Sequence, residues 1–307
     1  MRLVVALGGN ALLQRTDRPD AAVQRRHVAT AANALAPLTE EHDLLLCHGN
    51  GPQIGMLALE SADDPVLSRP FPLDTLGALT QGMIGYWLAQ ELPNAGVRRP
   101  VTVVLTQTVV DPDDPEFRRP TKFIGRTYDR SDAVQLAQER GWQVAPDGPA
   151  WRRVVPSPEP RRILEMTTIR RLSKEGDLVV CAGGGGAPVV CDDTGVHGVE
   201  AVVDKDLTAA LLAIEIGADR LLLLTDVAAV SRDFGTPGEA TIRSATVAEL
   251  RALSFPSGSM GPKIEACSRF TEATGHPSGI GALAQAVDVL GGRAGTTVVA
   301  DRVPAGA

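Results

Sequence analysis

The sequence predicts an α/β protein, a three-layer α/β/α sandwich around an open, mainly parallel twisted sheet. Three observations carry that prediction. Apolar runs of the kind found in buried parallel strands stop abruptly in glycines, Leu3 to Leu7 before Gly8-Gly9 and Val179 to Ala182 before four glycines at 183–186. Such runs alternate with stretches of helical period, as parallel strands joined by crossovers require. Aromatic residues make up only 4% of the chain, so its core is built from Leu, Val, Ile and Ala. With 307 residues there is enough chain for one large domain, or two lobes sharing a sheet.

The elements follow in order. Residues 20–41 carry Val28, Ala31, Ala32, Leu35 and Leu38 at helical spacing. Asp43 to Cys47 reads as a second buried strand, ending in His48-Gly-Asn-Gly-Pro-Gln-Ile-Gly55. Pro52 suits the first turn of the next helix, where its missing N–H costs nothing. Leu76, Leu79, Met83, Tyr86, Trp87 and Leu88 mark a helix over about 74–91, and Val101 to Thr106 is a third strand.

From Asp111 to Pro160 the texture changes, with prolines at 112, 115, 120, 146, 149, 156, 158 and 160. This predicts a small protruding subdomain with a short helix near 131–140, and a helix over 162–174 brings the chain back. Regular order then resumes: a strand at 177–182, a helix at 206–216, a strand at 220–225, helices at 246–253 and 263–274, and a strand at 295–300.

A formal net charge of −7 argues against a general binder of nucleic acid or anionic membranes. No apolar stretch approaches the roughly 20 residues that span a bilayer, and Met1-Arg2 runs straight into a strand without a signal peptide. Cys47, Cys181, Cys191 and Cys267 show no CxxC spacing. A reduced, cytoplasmic protein is expected.

Several constellations point to phosphate chemistry. The glycine loops at 8–9 and 49–51 lie at the ends of strands, where open α/β sheets bind ligands and free N–H groups can meet an anion. Neither a Walker spacing nor GxGxxG is present, which disfavours a P-loop ATPase and a NAD oxidoreductase. Four glycines after a buried strand suggest close approach of something bulky and polar. His48, alone beside a turn, reads as structural more readily than as chemical. Lys205 and Lys263 each stand at a helix start, an unfavourable place for a cation unless a phosphate sits over it. Asp206 has a simpler reading there as a helix-start acid.

Together, LGGNA (7–11), HGNGPQIG (48–55), PLDTLGALTQGMIGYW (72–87), VLTQTVVD (104–111), PTKFIG (120–125), WRRVVPSPEP (151–160), CAGGGG (181–186), GVEAVVDKD (198–206), GSMGPKIEA (258–266) and GRAGTTVV (292–299) resemble the carbamate kinases, a branch of the amino-acid-kinase family. Phe123 and Arg126 depart from the prolines usual in the PTKFIG segment, and Ser278 to Leu283 replaces a strand usually richer in Ile, Thr, Ser and Leu.

The resemblance implies a single amino-acid-kinase domain over 1–307, with an acceptor lobe over about 1–187, a lid over about 111–160 and a nucleotide lobe over about 188–307. It implies ATP + carbamate ⇌ ADP + carbamoyl phosphate with Mg²⁺, run toward ATP in arginine catabolism, in a homodimer. Lys205 and Lys122 would meet the transferring phosphoryl, and Asp206 would orient lysines. Gly8, Gly9, Asn10, Gly49, Asn50 and Gly51 would cradle the acceptor. Gly183, Gly184, Thr225, Asp226, Met260 and Lys263 would serve the nucleotide, and no protein metal ligands are expected. Without ligand, the lid should stand displaced, with Lys122 well away from Lys205. Alternatives are a kinase of an acylated amino acid or a nucleoside monophosphate, where a lysine usually stands in place of Ala6, or a non-catalytic nucleotide sensor.

Overall fold

The computed structural model describes residues 1–14, 17–255, 258 and 260–301, with Asn10 described at its backbone only. The first half of the chain runs β1 (Arg2–Leu7), α1 (Ala21–Glu41), β2 (Asp43–His48), α2 (Gly51–Asp63), α3 (Leu73–Asn94), β3 (Val101–Val103) and β4 (Gln107–Val110). It continues through β5 (Lys122–Tyr128), α4 (Arg130–Arg140), β6 (Gln143–Asp147), β7 (Ala150–Val155), β8 (Pro160–Ile163), α5 (Met166–Glu175) and β9 (Leu178–Val180). Then come β10 (Ala187–Asp192), β11 (Gly195–Gly198), α6 (Lys205–Ile216), β12 (Arg220–Thr225), β13 (Val230–Arg232), β14 (Ala240–Ile242) and β15 (Ser244–Thr246). The chain closes with α7 (Val247–Arg251), α8 (Met260–Thr274), β16 (Ser278–Ala282), α9 (Ala286–Leu290) and β17 (Thr296–Val299).

Eight strands form the main sheet in the order β15-β17-β16-β12-β1-β2-β9-β3. All neighbours are parallel except β16 and β17. Alternation along each buried strand feeds two separate cores. Val4, Ala6, Leu45, Cys47, Val179 and Cys181 face one side, where Ile169 of α5, Ala209 and Leu212 of α6 and Phe270 of α8 cover them. Leu3, Val5, Leu7, Leu44 and Leu46 face the other, under Val28 and Leu35 of α1, Ile84 and Leu88 of α3 and Val289 of α9. Two apolar faces on one sheet need two layers of helices, which is the α/β/α sandwich.

The stretch 101–106 does not stay one strand. Buried Gln81 of α3 takes both backbone groups of Thr106, accepting from its N–H at 2.9 Å and donating to its carbonyl at 3.0 Å. That capture ends β3 and sends the chain into a second sheet ordered β11-β10-β4-β8. The helix expected from 162 begins only at Met166, because Pro160–Ile163 pairs antiparallel with β4. The hairpins β10–β11 and β13–β14 lacked a strong apolar signal, since β11 is exposed throughout and β14 half exposed. β16 lies between β12 and β17, and its glycines conceal it from apolar periodicity.

Pairing of Thr108 with Ile163 and Val110 with Pro160 brings the two ends of the proline-rich excursion together. Beyond that stalk stands a small sheet of its own, β5-β7-β6, antiparallel and carrying α4. This subdomain docks on α2 by backbone contact. A Cβ added to Gly55 would lie 2.5 Å from the Gly125 amide nitrogen. Arg140 pairs with Asp63 at 2.6 Å and Arg153 with Glu200 at 3.5 Å. Among the described residues, no helix is long and apolar enough to cross a membrane.

Gly55→Ala should therefore push the subdomain off α2, weakening its docking by about 1–3 kcal/mol, the usual cost of overpacking. Hydrogen exchange should rise in β5 and β7 while the main-sheet amides stay protected. Unchanged exchange in β5 would show that the contact yields freely.

Candidate active site

The loops that follow β1, β2, β9 and β12 converge at one end of the sheet. Register pairs Leu7 with both His48 and Leu224, so Gly8, Gly49 and Thr225 emerge side by side. The Gly8 amide donates to the Leu224 carbonyl at 2.8 Å, and the Gly49 amide to the Leu7 carbonyl at 2.9 Å. A Cβ on Gly49 would lie 2.7 Å from the Gly9 nitrogen and 3.3 Å from Cε of Lys205. Glycine is thus required where two loops and a lysine stem meet. Asn50 donates through Nδ2 to Thr80 Oγ1 at 2.8 Å, which fixes the second loop ahead of Gly51.

The tetraglycine turn supports this loop from below. Ala182, Gly184, Gly185 and Gly186 all have positive φ, from 51° to 93°, a path open to glycine at little cost. Side chains would also collide: at Gly183 with the His48 imidazole, and at Gly184 with the Asn50 amide. The sequence reading turns Gly183 and Gly184 toward a nucleotide. In the structure both are buried, and the bulky polar groups they accommodate are His48 and Asn50.

His48 is only 1% exposed, and its Nδ1 lies 3.1 Å from the Gly49 carbonyl, which selects the tautomer with the proton on Nδ1. Burial lowers its pKa to about 4, with the nearby Lys205 charge adding to the effect. A neutral imidazole therefore acts as a spacer between two glycine turns.

Charge is concentrated where α6 and α8 begin. Asp206, almost fully buried, forms ion pairs with Lys205 through Oδ1 and with Lys263 through Oδ2, the latter at 2.9 Å. Burial alone would raise the carboxyl pKa, but the two ammonium groups more than offset it and hold the group well below the ordinary carboxylate range. Lys205 moves the other way: burial lowers its pKa, Lys263 lowers it further, and Asp206 opposes both. One step earlier, Asp204 accepts the backbone amides of Asp206 and Leu207 at its Oδ1, capping α6. Its Oδ2 binds Lys122 Nζ at 2.6 Å.

Lys122 is thus in the cleft, joined to the residue beside Lys205, and the displaced lid expected without ligand is not what the structure has. Burial would lower its pKa, yet Asp204, then Asp206 and Glu116, keep it above the ordinary lysine value. The capping role that sequence assigned to Asp206 belongs to Asp204, which the sequence reading missed. The signal was available, since an acid two residues ahead of another at a strand-to-helix change is a natural N-cap.

The remaining candidates lie around this cluster. Thr225 ends β12 beside Gly8 and donates through Oγ1 to Asp226 at 2.9 Å, and Asp226 is exposed. Met260 is half-buried at the start of α8, packed on the same core as α6. The Asn10 side chain lies outside the described residues, as does Ser259 of the GSMGPKIEA segment. Among the described residues no three His, Cys, Asp or Glu side chains converge as a metal site.

His48 makes a testable contribution to acid stability. Its folded pKa is below the unfolded one, so the unfolded chain takes up the proton first and stability falls as pH drops from 6.5 through about 4. In His48→Asn, which keeps a donor near Nδ1, the loss of unfolding free energy between pH 7 and 4.5 should be smaller by about 2 kcal/mol, at 1.36 kcal/mol per pKa unit. Equal losses in denaturant titrations of both proteins would show that His48 takes up its proton while folded.

Comparison with known proteins places this geometry. A model of the amino acid kinase family matches residues 1–281. A carbamate kinase of Rhizobium meliloti is 49% identical over 303 residues, covering 97% of this chain and 93% of that protein. One from Escherichia coli is 49% identical over 296 residues, covering 96% of this chain and 98% of that protein. The structure of a carbamate kinase from Giardia lamblia bound to AMP-PNP superposes with a TM-score of 0.88 at 38% identity, covering 98% of each chain. With a phosphotransferase's glycine loops and converging lysines at the carboxyl ends of its strands, the chain belongs to the amino acid kinase family, on its carbamate kinase branch.

Proposed function

We propose that this enzyme transfers the phosphoryl group of carbamoyl phosphate to ADP, reversibly, and that its working direction is ATP formation in arginine catabolism. The observation that carries the assignment of residues is the charge cluster. Lys122, Lys205 and Lys263 share Asp204 and Asp206, so one positive charge is left in excess to receive anions.

Phosphoryl transfer asks for alignment and charge neutralisation more than for covalent help. Lys205 and Lys122 meet the oxygens of the transferring group, and Lys263 meets the nucleotide phosphates. Asp206 holds Lys205 and Lys263 apart at a set spacing, so no reorganisation is needed when charge spreads in the transition state. Backbone amides of Gly9, Asn10, Asn50 and Gly51 cradle carbamate, while Gly8 and Gly49, whose amides are held by the Leu224 and Leu7 carbonyls, keep the cradle free of side chains. In the ATP-forming direction the bond from phosphorus to the carbamate oxygen breaks, a terminal ADP oxygen takes the phosphoryl group, and carbamate leaves. Thr225, Asp226 and Met260 flank the nucleoside.

Mg²⁺ fits this site as an ion carried by the nucleotide, because Asp206 is committed to two lysines and Asp204 to Lys122 and the α6 cap. When bound, it neutralises phosphate charge. The four free cysteines, three of them buried, suit a reducing compartment, and we place the enzyme in the cytoplasm.

In a coupled assay the purified protein should form ATP from carbamoyl phosphate and ADP only with Mg²⁺ present. Acetylglutamate and UMP should be poor acceptors in reverse. Lys205→Ala should lower turnover by about a hundredfold or more, the scale seen when one preorganised donor is removed. Faster phosphorylation of acetylglutamate or UMP than of carbamate would overturn the assignment.

A homodimer is part of the proposal. Leu79 is 51% and Tyr86 58% exposed on one face of α3, with Gly82 exposed between them, and α3 packs beside the open sheet edge at β3. An apolar stripe of that spacing next to a strand edge fits a second copy of itself. Tyr86→Arg should convert a sedimenting dimer to monomer at micromolar concentration. A wild-type chain that sediments as a monomer would remove this part of the proposal.

A further inference from the structure

We propose that Asp204 is the positioning residue that couples lid closure to the start of α6, by holding the lid lysine with one carboxylate oxygen and the helix start with the other. Oδ1 accepts the amides of Asp206 at 2.9 Å and Leu207 at 3.3 Å, which sets the first turn of the helix that begins with Lys205. Oδ2 accepts from Lys122 at 2.6 Å, and Lys122 is the first residue of β5 in the lid. A single carboxylate, its side chain 10% exposed, thereby joins a segment 82 residues away to the helix that carries the transfer lysine.

The coupling follows from charge. Closing the lid brings a half-buried ammonium group toward a site where two others already share one carboxylate, a costly step unless a further anion is present. The acids that face Lys122 are Asp204 first, then Asp206 and Glu116. Asp206 is saturated by Lys205 and Lys263, and Glu116 accepts from Thr121 and from the Ser157 amide inside the lid. Asp204 is therefore the counter-ion that lets Lys122 wait in the cleft before the phosphoryl group arrives. Once it arrives, its oxygens supply the negative charge and Lys122 can turn to them over a short path. The inference rests on the proposed function, which gives Lys122 its target.

Asp204→Asn separates the two tasks, because asparagine caps a helix about as well as aspartate yet carries no charge. Hydrogen exchange without ligand should show β5 amides around Lys122 opening about tenfold more often, the scale of one charge-assisted hydrogen bond, while the Asp206 and Leu207 amides stay as in the wild type. Turnover should fall about tenfold with KM for ADP changed less than about twofold, since closure precedes chemistry and not nucleotide binding. Asp204→Ala should raise exchange at both β5 and the start of α6. In a Lys122→Ala background, Asp204→Asn should add nothing to β5 exchange. Wild-type exchange at β5 in Asp204→Asn, or full additivity with Lys122→Ala, would overturn the coupling. Should the wild-type chain form no ATP from carbamoyl phosphate, the functional reading fails, while the exchange experiment still decides the coupling by itself.

Discussion

A buried carboxylate between two ammonium groups sets the terms for the rest of this molecule. Asp206 is nearly inaccessible, and its ion pairs with Lys205 and Lys263 make its charge tolerable there. Removing Asp206 would leave two buried ammonium groups without their shared counter-ion, which is far costlier than the loss of a surface pair. Both lysines stand at helix starts, and α6 and α8 pack closely along their lengths. The ion triad thus fixes how two helices approach each other, and the approach fixes where two positive charges point.

Glycine serves the opposite purpose, bringing backbone to where side chains cannot go. Gly9 and Gly49 nearly touch, and Lys205 passes beside them. Beneath them Gly183 and Gly184 give way to His48 and Asn50, so the loop after β2 rests on a turn shaped to it. A loop supported in this way keeps its path without help from a ligand.

The lid adds a third element through longer-range contacts. Its stalk is an antiparallel pair with a bulge between Val109 and Val110, and its body rests on α2 through Gly55 and Gly125. Arg153 stacks over the Trp142 ring at 4.8 Å, while Arg140 lies over the same ring at 5.1 Å. These guanidinium groups then reach Glu200 and Asp63 on the body. A unit docked by ion pairs, one close backbone contact and a small apolar cluster of Ile124 and Val155 with Ile54, Ala58, Leu73, Leu76 and Val202 is held more weakly than the double core of the main sheet. That ranking suits the role proposed for Lys122, which would have to meet a ligand that comes and goes.

Sequence alone determined the architecture wherever residue chemistry was local. The strands at β1, β2, β9 and β12 show as apolar runs because both of their faces are buried, and the crossovers follow from helical spacing between them. The proline density of 111–160 marked an excursion from the main sheet, and Lys205 and Lys263 stood out as cations at helix starts, whereas Lys122 and the lysine-orienting role of Asp206 entered through the family resemblance. Tertiary structure alone decided what those charges touch. β4 and β8 were hidden because a side chain 25 residues back, Gln81, captures Thr106 and breaks the third strand. The glycines at 183 and 184 read as ligand contacts because nothing local shows that His48 and Asn50 lie above them. The ion pair of Asp204 with Lys122 stayed hidden because the two residues are 82 positions apart, and only folding brings the start of β5 and the start of α6 onto one carboxylate.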